Sequence, residues 1–356
     1  MAEPDHSRLR EAAKLVIRDV VALREGEEVL IIANMEGDSF DICTAFYNEA
    51  LAAGGKVVMM VVPEMDRYDV TPRIMCDVTN AKPDVLFSLR SKGMGQDLYG
   101  AKIGYVGRDG GQYTYPHLKV IRGDRRTRGV WGGYLTREMF ERCVLVDYPA
   151  MQELARRLKA VIDPCKELRI ATPAGTDVAF SIDGCPTLVD AGDFTIPGSG
   201  GNLPCGEVFI GPVPGSGRGT IVFDGQIDLS YGSMIPISQV KITLRDGYVD
   251  QVIGGPEADL LLDVIVKGER MASDRSDREA ERNARHIGEI GIGINYNALA
   301  TGDLMEAEKA GGTVHLAIGD DVNGKATAFI HHDCLMLHPS VWVDGRLIMK
   351  DGDIQL

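Results

Sequence analysis

The sequence has no apolar run approaching the roughly 18 residues that a membrane-spanning helix needs, and it opens on the charged stretch MAEPDHSRLREAAK, with no apolar signal-peptide segment. A cytoplasmic protein with no membrane partner is the expectation. Cysteine is sparse and unpatterned. The seven positions (Cys43, Cys76, Cys143, Cys165, Cys185, Cys205 and Cys334) are odd in number, scattered and without a CxxC pair. This argues against a thiolate zinc site and for a reducing compartment. Blocks of Lys and Arg are missing as well. The net charge is −14, and the densest basic stretch, RGDRRTRG at 122–129, is short and lacks interleaved aromatics. Nucleic acid is therefore not an expected partner. No GxGxxG follows the first strand-like segment and there is no GxxxxGK[ST], so a phosphate-cradling loop is not indicated. HExxH and GxSxG are likewise absent, which removes two common hydrolase designs.

What is present divides into two parts. Residues 7–23 have helical spacing through Leu9, Ala12, Leu15, Val16 and Val20. EEVLIIAN (27–34), KVVMMVV (56–62) and DVLFSLR (84–90) read as buried strands, and helical segments lie between them at 38–55 and 71–81. Alternation of strand and helix predicts a parallel α/β sheet of flavodoxin-like type over residues 1–163. A helix at 148–162 leads toward a second domain. From 164 to 356 the pattern becomes short β-runs with Asp-Gly turns at 224–225, 246–247, 344–345 and 351–352. That predicts a mostly antiparallel β-rich domain, interrupted by helices near 256–267 and 273–286. The Gly-rich pieces GSGGN and GSGRG are read as turns.

Five of the seven histidines fall in the last 71 residues, which directs attention to the second domain. In AFIHHDCLML (328–337) two histidines and an aspartate interrupt an apolar strand. Side chains of a strand alternate faces, so His331 and Asp333 share one face and His332 takes the other. At about 6.6 Å of advance per two residues, an imidazole and a carboxylate can converge on one metal or on two adjacent ones. VHLAIG places His315 alone in a second apolar strand. GEIGIG places Glu289 in a third, and GNLPCGEVFIGP places Glu207 at the head of a fourth. Each has a plain reading by itself: a His–Asp hydrogen bond, a core histidine, a carboxylate paired with Arg or Lys, a strand-end surface glutamate. Together, carboxylates and imidazoles suit zinc, manganese, cobalt or iron. Five such groups match a dinuclear hydrolytic centre in which metals activate a water.

These motifs, in this order and with similar spacing, resemble those of the aminopeptidase T / aminopeptidase S family of leucyl metallo-aminopeptidases, and EGEEVLIIAN with the α/β half behind it is similar to that family's N-terminal domain. The resemblance implies a homodimeric metallo-aminopeptidase with two divalent ions (zinc, manganese or cobalt) bound by Glu207, Glu289, His315, His331 and Asp333. It would release N-terminal residues by metal-activated water, with Glu289 as the candidate proton carrier. One position departs. Val322 stands where those peptidases have a tyrosine after the histidine of the HLALG-like motif. The 2,5-dihydroxypyridine dioxygenases resemble the same fold with one Fe(II). They have a histidine in place of Glu289 and lack the counterparts of Glu207 and His315. The alternative expectation is thus a non-peptidase enzyme acting on a small aromatic or heterocyclic molecule, such as an iron ring-opening dioxygenase or a metal-dependent amidase or deaminase. A non-catalytic metal-binding protein is a third reading, against which the complete ligand set argues.

Overall fold

The computed structural model describes residues 7–65, 71–90, 104–113, 115–229, 232–300 and 303–356. It divides into two compact units, Met1–Tyr148 with Gly192–Cys205, and Pro149–Ala191 with Gly206–Leu356. These differ in two places from the single boundary at 163/164 read from the sequence. The helix Tyr148–Ile162 belongs almost wholly to the second unit, and the segment 192–205 returns to the first.

The first unit is built on a parallel sheet. Its strands β1 (Glu28–Ala33), β2 (Lys56–Val61), β3 (Val85–Leu89) and β4 (Arg128–Gly132) lie in the order β4-β3-β1-β2. EVLIIA and VLFSL are buried nearly throughout, as strands covered on both faces must be. KVVMMV, at the sheet edge, is partly exposed. The helix Ser39–Ala52 connects β1 to β2, and Arg73–Asn80 precedes β3. Both follow the expected spans. The first helix is regular only over Ser7–Leu15 and then widens into a π-helical turn, Val16–Val20. GSGGN was expected to be a turn, yet Gly200–Asn202 forms a short strand that pairs in parallel with β4. The close approach explains it: a Cβ on Gly200 would come within 2.6 Å of the Gly129 carbonyl.

The second unit carries two antiparallel sheets, as its turn-rich pattern predicted. One has eight strands and includes Glu167–Ala171, Asp177–Ser181, Arg218–Phe223 and Val240–Arg245. The other has seven: β5 (Leu188–Asp190), β6 (Glu207–Ile210), β7 (Ile227–Leu229), β8 (Gly232–Met234), β9 (Ile287–Gly293), β10 (Val314–Gly319) and β11 (His331–Met336). Their order is β8-β7-β11-β10-β9-β6-β5. Three Asp-Gly pairs adopt positive φ at both residues (51° and 79° at 246–247, 46° and 80° at 344–345, 50° and 91° at 351–352). This is the backbone of tight hairpins. The fourth, Asp224-Gly225, does something else: it is where the chain leaves the eight-stranded sheet for β7. The helix expected near 256–267 runs on to Ser273, and Ser276 then breaks it with φ 58°. The next helix is thereby cut to Arg278–Asn283, capped by the Asp277 side chain on the Ala280 amide. No helix among the described residues is long and apolar enough to cross a membrane.

Candidate metal centre

The seven-stranded sheet gathers all five candidate ligands on one face. Register does the work. Gly291 of β9 lies opposite His315 of β10, Ala317 of β10 opposite Asp333 of β11, and Gly319 opposite His331. Glu289 lies opposite Ala317, and Glu207 of β6 opposite Gly293. Bulky ionisable side chains thus alternate across the strands with Gly and Ala. The glycine in the middle is obligatory: a Cβ on Gly291 would stand 2.1 Å from Cε1 and Nε2 of His315.

Two triplets result, Glu207–Glu289–His315 and Glu289–His331–Asp333, each with its ligand atoms within 4.8 Å of one another. Glu289 belongs to both. His315 Nε2 is 3.4 Å from Glu289 Oε1 and 3.4 Å from Glu207 Oε2. His331 Nε2 is 3.2 Å from Glu289 Oε2 and 3.7 Å from Asp333 Oδ2. The reading of Glu207 as a surface glutamate falls away, since it is 5 % exposed, and His331 and Asp333 approach each other to 3.7 Å.

The triplets differ in their surroundings. His331 Nδ1 lies 3.0 Å from the Asp320 backbone carbonyl. A carbonyl can only accept, so it holds a proton on Nδ1, and Nε2 is the nitrogen that faces the carboxylates and would give up its proton to a metal, the arrangement of a metal-binding histidine. His315 has no such support, because its buried Nδ1 has no hydrogen-bond partner. Glu207 instead meets a lysine. Lys309, 1 % exposed, places Nζ 2.5 Å from Glu207 Oε1 and 2.6 Å from Glu308 Oε1. His332, on the opposite face of β11 as strand alternation requires, is paired with Asp228 at 2.7 Å.

Charge is finely opposed here. Burial pushes the Glu207 carboxyl up to about 7 against the attraction of Lys309 and His315. Burial likewise takes Asp333 to about 7, with His331 opposing and Glu308 and Glu289 adding to the rise. Burial alone would raise Glu289 too, but contacts from His315 and His331 hold it well below the usual carboxylate range. Burial disfavours charge on His331, yet Asp333 and Glu289 keep its pKa well above the usual value. Glu207 Oε2 and Asp333 Oδ1 are buried without a hydrogen-bond partner. Native interiors rarely leave such atoms orphaned. A divalent cation fits what these residues leave unsatisfied, and an oxygen-rich set with imidazole suits manganese, iron or zinc.

A family model described as NicX, 2,5-dihydroxypyridine 5,6-dioxygenase, matches residues 137–356. The chain belongs to this family. The matched region contains all five residues of the two triplets. A curated relative, the 2,5-dihydroxypyridine 5,6-dioxygenase of Pseudomonas putida, is 23% identical over 208 residues, 55% of this chain and 56% of the relative. The chain thus matches somewhat more than half the length of that relative. Among solved structures, the 2,5-dihydroxypyridine dioxygenase of Pseudomonas putida KT2440 superposes with a TM-score of 0.75 at 17% identity, covering 99% of this chain and 98% of that one. Wild-type aminopeptidase T from Thermus thermophilus gives 0.68 at 16% identity, covering 98% and 99%. Both structures establish the shared fold. Family membership falls on the branch that the sequence reading placed second, and the hydrolase reading finds support only in a structural neighbour.

Sequence reasoning missed three groups: Lys309 with Glu308, the Asp228 partner of His332, and the Asp320 carbonyl. Only the first left a trace. EAEKAGG (306–312) sets a lysine between glutamate and small residues just before the His315 strand.

Proposed function

We propose that the protein is a metal-dependent enzyme that opens the ring of a small aromatic or heterocyclic molecule with dioxygen, its metal held by Glu289, His331 and Asp333, with iron(II) the first candidate. The observation that carries this reading is the tethering of His331 Nδ1 to the Asp320 carbonyl, which aims Nε2 between two carboxylates, within a region that matches the dihydroxypyridine dioxygenase family. When bound, iron(II) supplies the one-electron chemistry that lets dioxygen react with a ring. The chain's own residues supply the rest. Glu289 and Asp333 offset the charge of a dication, and Asp320 fixes the imidazole tautomer. His315, 3.4 Å from both Glu207 and Glu289, is the group positioned to take up or release a proton beside a bound molecule.

The complete five-residue set favours a second reading, a dinuclear hydrolase in which Glu289 carries a proton from metal-activated water to a leaving amine. In either reading the substrate is a small molecule or short peptide, and the protein is a cytoplasmic homodimer without nucleic-acid or membrane partners; sedimentation as a monomer would remove the dimer. The deciding experiment loads the purified chain with iron(II) under anaerobic conditions and follows oxygen uptake with 2,5-dihydroxypyridine. In parallel it offers aminoacyl substrates to the zinc, manganese and cobalt forms. Oxygen uptake that vanishes in Asp333→Ala supports the dioxygenase. Aminoacyl turnover without oxygen uptake replaces it with the hydrolase.

A further inference from the structure

The two triplets share Glu289, and a dinuclear centre would need a cation in each. At the Glu207 end a cation is already present. The Lys309 ammonium is sealed from solvent and held between Glu207 Oε1 at 2.5 Å and Glu308 Oε1 at 2.6 Å. The backbone that carries it is anchored beside the cluster. Its backbone amide is bound to the Glu306 carbonyl at 3.0 Å, and its carbonyl accepts from the Asn295 amide at 2.9 Å. Two further observations point the same way. His315 Nδ1 has no hydrogen-bond partner, whereas His331 Nδ1 is tied to a carbonyl. A histidine ligand ordinarily has that second support. A dication placed at the Glu207–Glu289–His315 triplet would also have to share Glu207 with the ammonium at short range, where like charges repel strongly in a buried setting.

We propose that Lys309 is an internal cation that replaces a second metal. The wild-type chain then holds one divalent metal, at Glu289–His331–Asp333, and the Glu207–Glu289–His315 triplet is a latent site that becomes available only when the lysine is removed. This rests on the metal-binding reading above. It also assigns the retained Glu207 and His315 a new role: Glu207 is the counter-ion of a lysine rather than a metal ligand.

The test is metal stoichiometry, not activity. The full-length chain is stripped, equilibrated separately with excess iron(II), manganese(II), cobalt(II) or zinc(II), dialysed, and analysed for metal per chain by mass spectrometry. The expected result is one equivalent in the wild type, one in Glu207→Gln, and none in Asp333→Asn. Lys309→Ala is expected to rise to two equivalents, the second bound more weakly. Two equivalents in the wild type, or loss of the single equivalent in Glu207→Gln, would overturn the proposal while leaving metal binding intact. No bound metal in the wild type with any of the four ions would instead overturn the metal-binding reading itself. A folded Lys309→Ala chain, checked by circular dichroism, that still holds one equivalent also overturns the proposal. Should that variant not fold, the wild-type and Glu207→Gln stoichiometries decide.

Discussion

Arg128 in the first unit and the carboxylate cluster in the second are both charged, both buried, and opposite in design. Arg128 is 2 % exposed and uses every donor it has. Its Nε donates to the Val21 carbonyl at 2.6 Å, Nη1 to Glu27 and the Asp84 carbonyl, and Nη2 to the Ala22 carbonyl and to Glu27 at 2.6 Å. Five N–H groups meet five acceptors. Nothing is left for a ligand, and the residue fastens β4 to the turn before β1. In the second unit, carboxylate oxygens stay orphaned and imidazoles lie within reach of two acids each. A closed network of buried charge serves the fold, and an open one leaves groups that could hold a metal ion.

That contrast can be broken at four points. The largest effect is expected from Asp333→Ala: metal affinity falls at least about a hundredfold and turnover is lost, while urea unfolding of the first unit is unchanged. Retained metal would show that the cluster is as closed as Arg128. Next, Arg128→Met strips the Val21 and Ala22 carbonyls of their donor and leaves Glu27 with the Arg24 amide but no counter-charge, and should cost about 3–5 kcal/mol in urea or thermal unfolding with metal content unaltered. A smaller effect tests the pair by pH. Burial alone would raise the Glu27 carboxyl, but the hydrogen bonds from Arg128 and the Arg24 amide take it below its usual value. A carboxylate so depressed stabilises the fold above the ordinary glutamate pKa of about 4.3, and that contribution is lost as pH falls through its folded value. Glu27→Gln should therefore be less stable than wild type by about 1–2 kcal/mol at pH 7, discounted for partial exposure, with the gap closing toward pH 3. A gap independent of pH would mean that the charge contributes nothing. The smallest effect is expected from Thr136→Ala, which removes the cap donated to by the Met139 amide at 3.2 Å. It should cost about 1 kcal/mol without touching either network.

Much of this was legible in the chain. Period-two alternation in IHHDCL separated His331 and Asp333 from His332, and the apolar frames around Glu289 and His315 identified their strands, because strand geometry is local. That EVLIIAN, KVVMMVV and DVLFSLR belong to a parallel sheet was legible from the helical segments between them. What escaped was non-local. Lys309 reaches Glu207 across 102 positions, and nothing in EAEKAGG states where its ammonium ends. Asp228 reaches His332 across 104. The return of residues 192–205 to the first unit rests on glycines that permit close pairing with β4, and in sequence they look like a turn. The family branch was misjudged for a related reason: the ligand residues follow the peptidases, whereas the match over 137–356 runs to the dioxygenases.

The neighbouring histidines of β11 give strand register a chemical meaning. A slip of one residue turns every side chain to the opposite face. It would bring His332 and Cys334 to the face now held by His331 and Asp333. The cluster would then offer a thiol where it offers a carboxylate, and softer metals would be preferred over harder ones. The Asp228–His332 contact at 2.7 Å, on the far side of the sheet, adds to the ladder with β10 in holding the register that turns His331 and Asp333 to the same face.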